Sequence, residues 1–207
     1  MVSPMRSLLS LSLIVLLTGC PCVGRYVWQI GDSTAYLISE ELHAAGGLRD
    51  VGDALLVLGA APGFALGTQN DYFVGRLESA KFGGRCGAPD WVLIQLGTND
   101  LFTYDPATGG FDSPVDVEID APGELDVAIA RLVDAVPESA RILWVMPGPG
   151  VAQDRRSYLR AGLERSPRKI EVLELPSEIY GDGIHFRDEQ KAAVLIVAEM
   201  DRLEAQP

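Results

Sequence analysis

The chain has 207 residues, of which 47% are hydrophobic, and this length and composition are typical of one globular domain with a sizeable core. Its formal net charge is -12, whereas contacts to nucleic acid phosphates need clustered Lys and Arg. The charge therefore argues against nucleic-acid binding, and it weakly disfavours a polyanionic substrate.

An export signal at residues 1–19 is the first predicted element. Arg6 precedes an apolar run at 8–17, which is too short to span a bilayer as a helix and matches the apolar region of a secretory signal. The letters LTGC, ending at Cys20, resemble the signal of bacterial lipoproteins, in which the chain is cut before the Cys and the thiol carries a diacylglycerol. This resemblance implies an exported, membrane-anchored lipoprotein of the bacterial cell envelope, with a lipid on Cys20 and a short tether at 20–24. A buried amphipathic strand and an uncut signal anchor are the alternatives.

The remaining cysteines are Cys22 and Cys86. Export into an oxidising compartment permits a disulfide between them, and two unrelated thiols are the alternative. The chain has two His and no CxxC or HExxH motif, so the sequence does not indicate a metal site.

Apolar runs that predict strands alternate with amphipathic runs that predict helices from residue 25 onward. In chain order they are strand 25–30, helix 34–45, strand 54–59, helix 66–81, strand 90–96, helix 124–136, strand 141–146, helix 153–165, strand 169–175 and helix 188–205. Residues 101–120, rich in Asp, Gly and Pro, are predicted to form a long loop, which is either the segment that selects the substrate or a mobile surface insert. Continuous apolar strands alternating with helices predict an α/β fold, a three-layer α/β/α sandwich with a five-stranded parallel sheet over 25–207.

Polar residues or glycines follow four of the five predicted strands. Ser33 follows the first, Gly63 lies after the second, Asn99 follows the third, and Asp182 and His185 follow the fifth. In a parallel α/β sheet, ligands bind outside the carboxyl ends of the strands. We therefore expect these residues to converge at one edge of the sheet.

These residue types are the ones that serine-dependent ester cleavage needs. A Ser hydroxyl is a weak nucleophile and needs an adjacent base, for which His is the usual choice. A carboxylate fixes the imidazole tautomer, and the three-residue spacing of Asp182 and His185 brings both to one patch if the segment turns helically. The developing oxyanion needs donors, which the Ser33 N–H, the Gly63 N–H and the Asn99 amide can supply.

Four motifs, GDS at 31–33, GAAPG at 59–63, GTND at 97–100 and DGIH at 182–185, resemble in order those of the SGNH hydrolases, also called the GDSL esterase/lipase family. The resemblance covers the chain from about residue 25 to its end. It implies a flavodoxin-like SGNH hydrolase fold and an enzyme that acts on ester bonds.

The resemblance also implies roles for single residues. Ser33 is the expected nucleophile, His185 and Asp182 complete the expected triad, and the Ser33 amide, Gly63 and Asn99 form the expected oxyanion hole. The family often has an Asn shortly before its oxyanion Gly, where this chain has Leu58 or a neighbour, and Gly59 is therefore the alternative to Gly63.

The implied activity is that of a serine esterase that hydrolyses short-chain or acetyl esters through an acyl-enzyme, without metal or cofactor. The expected substrate is a small acyl ester or an acylated carbohydrate. A cell-envelope carbohydrate O-acetyltransferase with the same triad and a non-catalytic binding lipoprotein are the alternatives.

One further ambiguity concerns the GDS motif. Helix-capping preference alone also places Ser at a strand-to-helix turn, so Ser33 is either a nucleophile or a helix cap. Asp32 and Asp100 are expected to hold their loops by accepting backbone N–H bonds.

Overall fold

The computed structural model of the chain describes residues 24–44, 54–60, 66–67, 70–83, 87–101, 103–105, 110–112, 124–151 and 153–206. The predicted export signal at 1–19, the lipidation site Cys20, and the cysteines Cys22 and Cys86 lie outside the described residues. Export, lipidation and disulfide formation therefore stay predictions. No helix of the described residues is long and apolar enough to cross a membrane.

Strands of the described chain form two sheets. In chain order the strands are β1 (Tyr26–Gly31), β2 (Ala54–Ala60), β3 (Trp91–Gln95), β4 (Thr103–Asp105), β5 (Gly110–Asp112), β6 (Arg141–Val145) and β7 (Glu171–Leu173). The larger sheet has the order β2-β1-β3-β6-β7, with every neighbouring pair parallel. Counted along the chain, this is the 2-1-3-4-5 order of flavodoxin-like folds, and the order reverses between β1 and β3.

The helices cover both faces of the larger sheet. They are α1 (Ser33–Ala44), α2 (Asn70–Gly83), α3 (Thr98–Leu101), α4 (Glu124–Ala135), α5 (Gln153–Glu164) and α6 (Glu189–Glu204), with a 3₁₀ turn at Ser177–Ile179. α1 contacts α6, while α4 contacts both α2 and α5.

Two hydrophobic cores, one on each face of the sheet, result from this layering. Successive strand residues point to opposite faces, so Val27 packs in the core with α1 and α6, and Trp28 packs in the core with α2, α4 and α5. Every residue of β1 is buried. The predicted three-layer α/β/α sandwich with a five-stranded parallel sheet is therefore confirmed.

The structure differs from the prediction in one helix, in the last strand of the main sheet and in the segment 101–120. The helix predicted at 66–81 begins later, at Asn70, and the last strand spans only Glu171–Leu173. The prediction of a long loop at 101–120 is wrong in part, because β4 and β5 pair in antiparallel fashion there. Three-residue strands are too short to show a period in the sequence. Residues 106–109 and 113–120 lie outside the described part.

Candidate active site

Ser33 lies at the sharp turn between β1 and α1. The Asp32 N–H donates to the Gln95 carbonyl at 2.9 Å, which extends the β1–β3 pairing by one residue. Asp32 Oδ1 then accepts bonds from the Thr34 N–H at 2.9 Å and the Thr34 hydroxyl at 2.7 Å. A side-chain oxygen that accepts from the second helical residue is the pattern of an N-cap. Asp32 therefore caps α1, and the Ser33 hydroxyl is available for another role.

Asp32 and Asp100 hold the loops on either side of Ser33. Asp100 lies in α3 and accepts the Leu66 N–H and the Gly67 N–H, both at 2.7 Å. These bonds join the Leu66–Gly67 turn to α3. Burial raises the pKa of Asp32 against the effect of its bonds from Thr34, and burial likewise raises the pKa of Asp100 against the effect of its backbone bonds. Both carboxyl groups accept backbone N–H bonds, as the sequence predicted.

Three of the predicted site residues form one hydrogen-bonded chain. Ser33 Oγ lies 3.2 Å from His185 Nε2, and His185 Nδ1 lies 2.8 Å from Asp182 Oδ2. Since a carboxylate can only accept, Nδ1 carries a proton and donates it to Asp182, which leaves Nε2 of the neutral ring to accept the Ser33 hydroxyl. The structure thus brings together residues 152 positions apart in sequence, with the imidazole tautomer that a general base requires.

Asp182 also builds the turn that presents His185. Its Oδ1 accepts the Ile184 N–H at 2.8 Å and the His185 N–H at 2.6 Å. The Gly181 N–H donates to the His185 carbonyl at 2.9 Å and closes the turn. The segment is therefore a turn closed by a carboxylate rather than the helical turn that the spacing allowed, and one side chain fixes both the backbone and the ring of His185.

These contacts stabilise the ionised form of Asp182. Partial burial raises the pKa of Asp182, but the hydrogen bonds from the His185 ring and from the His185 and Ile184 N–H groups outweigh it and lower the pKa to about 2. The carboxylate is consequently ionised throughout the neutral and mildly acidic range.

This low pKa predicts a pH window for stability. Because the folded pKa of Asp182 lies below its ordinary value of 3.8, its ionised form adds stability above that value, and the contribution is lost as the pH falls toward about 2. We expect urea unfolding midpoints measured between about pH 5 and about pH 2 to fall more steeply for the wild type than for Asp182→Asn. Parallel pH profiles for the two proteins would contradict this.

The loop that follows β6 supports the His185 turn. Gly148 and Gly150 follow β6, and the Gly150 N–H donates to the Gly183 carbonyl at 2.7 Å. A Cβ at Gly148 would lie 2.3 Å from the Gly183 carbonyl oxygen and 2.7 Å from the Tyr180 ring. Gly183 itself has φ +85°, a conformation that other residues rarely adopt. Two glycines directly after a buried strand were the available signal for this contact.

Replacing Gly148 with Ala should therefore displace the His185 turn. We expect kcat for ester hydrolysis to fall by about a hundredfold, because a displacement of about 1 Å in a catalytic group costs that much. The matched control is Gly75→Ala, since a Cβ at Gly75 in α2 meets nothing within 4 Å. The control should keep full activity and gain about 0.5–1 kcal/mol of stability. Full activity in Gly148→Ala, measured beside circular dichroism, would refute the positioning role.

Two of the three predicted oxyanion donors lie among the described residues. Ser33 is the first residue of α1, where the helical pattern leaves its N–H unused, and Asn99 lies in α3 directly after β3, the neighbour of β1. Gly63 lies outside the described residues, so its role stays a prediction. The alternative, Gly59, lies within β2, where a Cβ would come 2.7 Å from the Tyr72 ring, so the close packing of that ring explains the glycine.

Comparisons with known proteins concern the fold. No protein-family model and no curated protein matches the sequence. A Slackia heliotrinireducens protein assigned to the SGNH hydrolases aligns over 85% of this chain and 98% of its own, with a TM-score of 0.54 and 18% identity. The C-terminal catalytic domain of Streptococcus pneumoniae peptidoglycan O-acetyltransferase A, solved with a methylsulfonyl adduct, aligns over 86% and 92%, with a TM-score of 0.50 and 16% identity. The periplasmic domain of a lipopolysaccharide acetyltransferase from Salmonella ser. Paratyphi A aligns over 93% and 89%, with a TM-score of 0.51 and 12% identity.

Proposed function

We propose that this chain, whose fold is that of the SGNH hydrolases, is a serine esterase that hydrolyses acetyl or other short acyl esters. The observation that carries the proposal is the chain of hydrogen bonds from Ser33 Oγ through His185 to Asp182. It lies at the carboxyl end of β1, next to the point where the strand order reverses and where such sheets bind ligands. This order of contacts is the one that a nucleophile, its base and the group that orients the base require.

The mechanism follows from the donors and acceptors. His185 Nε2 takes the proton of the Ser33 hydroxyl as Oγ attacks the ester carbonyl, and Asp182 stabilises the imidazolium that forms. The imidazolium then gives this proton to the departing alcohol, which leaves an acyl group on Ser33. A water molecule, deprotonated by His185, attacks the acyl-enzyme, and the imidazolium gives this proton to Ser33 Oγ as the carboxylic acid leaves. No step needs a metal or a cofactor.

We assign the oxyanion to three donors: the Ser33 N–H, the Asn99 side-chain amide and the Gly63 N–H. The N-terminal end of α1 places its positive dipole end at Ser33, which favours negative charge on the carbonyl oxygen. Asp100, the neighbour of Asn99, accepts the N–H groups of the Leu66–Gly67 turn in two short bonds, which fixes the end of α3 that carries Asn99.

Water has access to the described part of the site. The His185 side chain is 33% exposed, and that of Asp182 is 52% exposed. An acyl-enzyme that water can reach is open to hydrolysis, and closing a site suppresses that side reaction. This exposure favours hydrolysis over transfer to a sugar hydroxyl by the same triad.

We propose an acylated carbohydrate as the substrate and the cell envelope as the location. Two structural neighbours are named for acetyl transfer to peptidoglycan and to lipopolysaccharide. The apolar run at 8–17 and the LTGC letters ending at Cys20 support export and a lipid anchor. Since β1 begins at Tyr26 and Ser33 follows its other end, the site lies at the sheet edge opposite to the one where β1 begins.

The proposal is tested by following the fate of the acyl group. The purified protein should release acetate from p-nitrophenyl acetate and from an O-acetylated oligosaccharide. In the presence of an unacetylated oligosaccharide, most of the acetyl should still go to water. Predominant transfer to the oligosaccharide would replace the esterase with an acetyltransferase, and cleavage of neither ester would refute both.

A further inference from the structure

An exposed aromatic ring lies one helical turn from Ser33. Tyr36 follows Ser33 by three residues in α1, and residues three apart lie on nearly the same helix face. Helical side chains lean toward the N-terminus of their helix, which directs the Tyr36 side chain toward the turn that begins with Ser33. Because Ser33 Oγ contacts His185 at 3.2 Å, this turn borders the proposed reaction centre.

The hydrophobic core makes little use of this ring. Tyr36 is 57% exposed, while the core-facing side chains of α1 are fully buried: Ala35, Ile38 and Leu42. A large aromatic side chain on the surface contributes most when a ligand covers it, because its apolar face is then removed from water while its hydroxyl stays hydrated. The exposure of Tyr36 beside Ser33 therefore points to substrate binding rather than to folding.

We propose that Tyr36 binds the sugar ring of an O-acylated substrate and that this sugar is neutral, an inference that rests on the proposed esterase function. A pyranose ring presents C–H groups on its faces and hydroxyls at its rim. The phenol ring stacks on such a face and leaves the rim hydroxyls to water and polar groups. The ester on the stacked sugar then lies within reach of Ser33 Oγ, and the sugar hydroxyl is the leaving group.

The surroundings of Tyr36 fit a single sugar unit better than a long acyl chain. A long acyl chain needs a continuous apolar surface. The other exposed large apolar side chains of the described residues lie on other elements, namely Val57 on β2, Tyr72 on α2, Val127 on α4 and Val194 on α6. One turn beyond Tyr36, the next exposed residue of α1 is Glu40. The apolar surface on α1 therefore ends after one aromatic ring.

Charge around the ring selects against an anionic sugar. Glu40 follows Tyr36 by four residues on the same helix, and the half-exposed Asp182 carboxylate is joined to Ser33 through His185. The whole chain carries a net charge of -12. Like charges on the substrate would be repelled, so a neutral O-acetylated sugar is favoured over a uronic or sialic acid ester.

The test compares the wild type with Tyr36→Ala and Tyr36→Phe on three substrates. These are vinyl acetate, an O-acetylated xylo-oligosaccharide and an O-acetylated oligogalacturonide. Tyr36→Ala should raise KM for the xylo-oligosaccharide by about five- to tenfold while kcat stays close to wild type, since an aromatic contact of this kind is worth about that factor. Hydrolysis of vinyl acetate should change by less than about twofold, because that ester has neither a sugar nor an aromatic ring to stack on Tyr36. Tyr36→Phe should restore the wild-type KM, and the wild type should prefer the neutral oligosaccharide to the anionic one.

Each result decides between the inference and its alternatives. An equal loss on all three substrates in Tyr36→Ala would show that the ring supports Ser33 rather than a sugar. No change on any substrate, or a wild-type preference for the anionic oligosaccharide, would also overturn the inference. In each of these cases the wild type still cleaves vinyl acetate, so the esterase proposal survives. Failure of the wild type on every ester would instead refute the esterase proposal itself.

Discussion

Ser33→Ala is expected to lower kcat/KM for p-nitrophenyl acetate by about a thousandfold or more, with the fold unchanged. The variant removes the oxygen that His185 Nε2 contacts at 3.2 Å, and with it the bond to the acyl intermediate. Its stability should stay close to that of the wild type, because Asp32 rather than Ser33 caps α1 through Thr34. Activity assays beside circular dichroism and thermal unfolding separate the two effects.

The matched control for this variant is Ser79→Ala. The Ser79 hydroxyl donates to the Gly75 carbonyl within α2, so its loss removes a hydroxyl of the same kind away from the proposed site. The control should retain wild-type activity. Equal rates in the wild type and Ser33→Ala would exclude Ser33 as the nucleophile, and absent activity in a folded wild type would favour the non-catalytic binding protein.

Asp182→Asn is expected to lower kcat by about a thousandfold to ten-thousandfold while the His185 turn keeps its shape. The remaining carbonyl oxygen of Asn can still accept the Ile184 and His185 N–H groups that Oδ1 accepts now. Its NH₂ group then faces His185 Nδ1 and forces this nitrogen to accept. The proton moves to Nε2, which can no longer take the proton of Ser33.

Asp188→Asn is a suitable control for this second variant. Asp188 lies three residues beyond His185 and caps α6 by accepting the Lys191 N–H at 2.9 Å. Asn is as good a helix cap as Asp, so this variant changes charge in the same region without removing a cap. It should keep wild-type kcat. If Asp182→Asn also stays within about tenfold of the wild type, Asp182 does not set the tautomer of His185.

The main sheet was predictable because its strands are buried on both faces. In β1 and β3, nearly every residue is apolar, and such runs identify strands without any period. Because these strands are parallel, their carboxyl ends lie at one edge of the sheet. Ser33 and His185 were therefore expected to lie close together. The structure confirms that meeting in the 3.2 Å contact between Oγ and Nε2.

What the sequence did not reveal depends on contacts between loops. That Asp32 rather than Ser33 caps α1 depends on side-chain orientation, which the letters GDS leave open. Gly148 packs against the carbonyl of Gly183, which lies 35 residues later in the chain. β4 and β5 are too short to show a periodic pattern in the sequence. Each is recognised as a strand only through its pairing with the other.

Asp182 links the fold of its loop to the proposed chemistry. One of its oxygens fixes the backbone of residues 184 and 185, and the other fixes the ring of His185. The same bonds lower its pKa to about 2. Loss of the carboxylate in acid is therefore expected to weaken both the turn and the base.

Covalent labelling tests the central claim, that Ser33 is a nucleophile activated by His185, most directly. The protein is treated with methanesulfonyl fluoride, digested, and mapped by peptide mass spectrometry, with His185→Gln treated in parallel. The account predicts one methylsulfonyl group on Ser33 of the wild type, loss of ester hydrolysis in step with labelling, and little or no label in His185→Gln. A wild-type protein that hydrolyses esters while Ser33 stays unlabelled, or that is labelled at another residue, would contradict it.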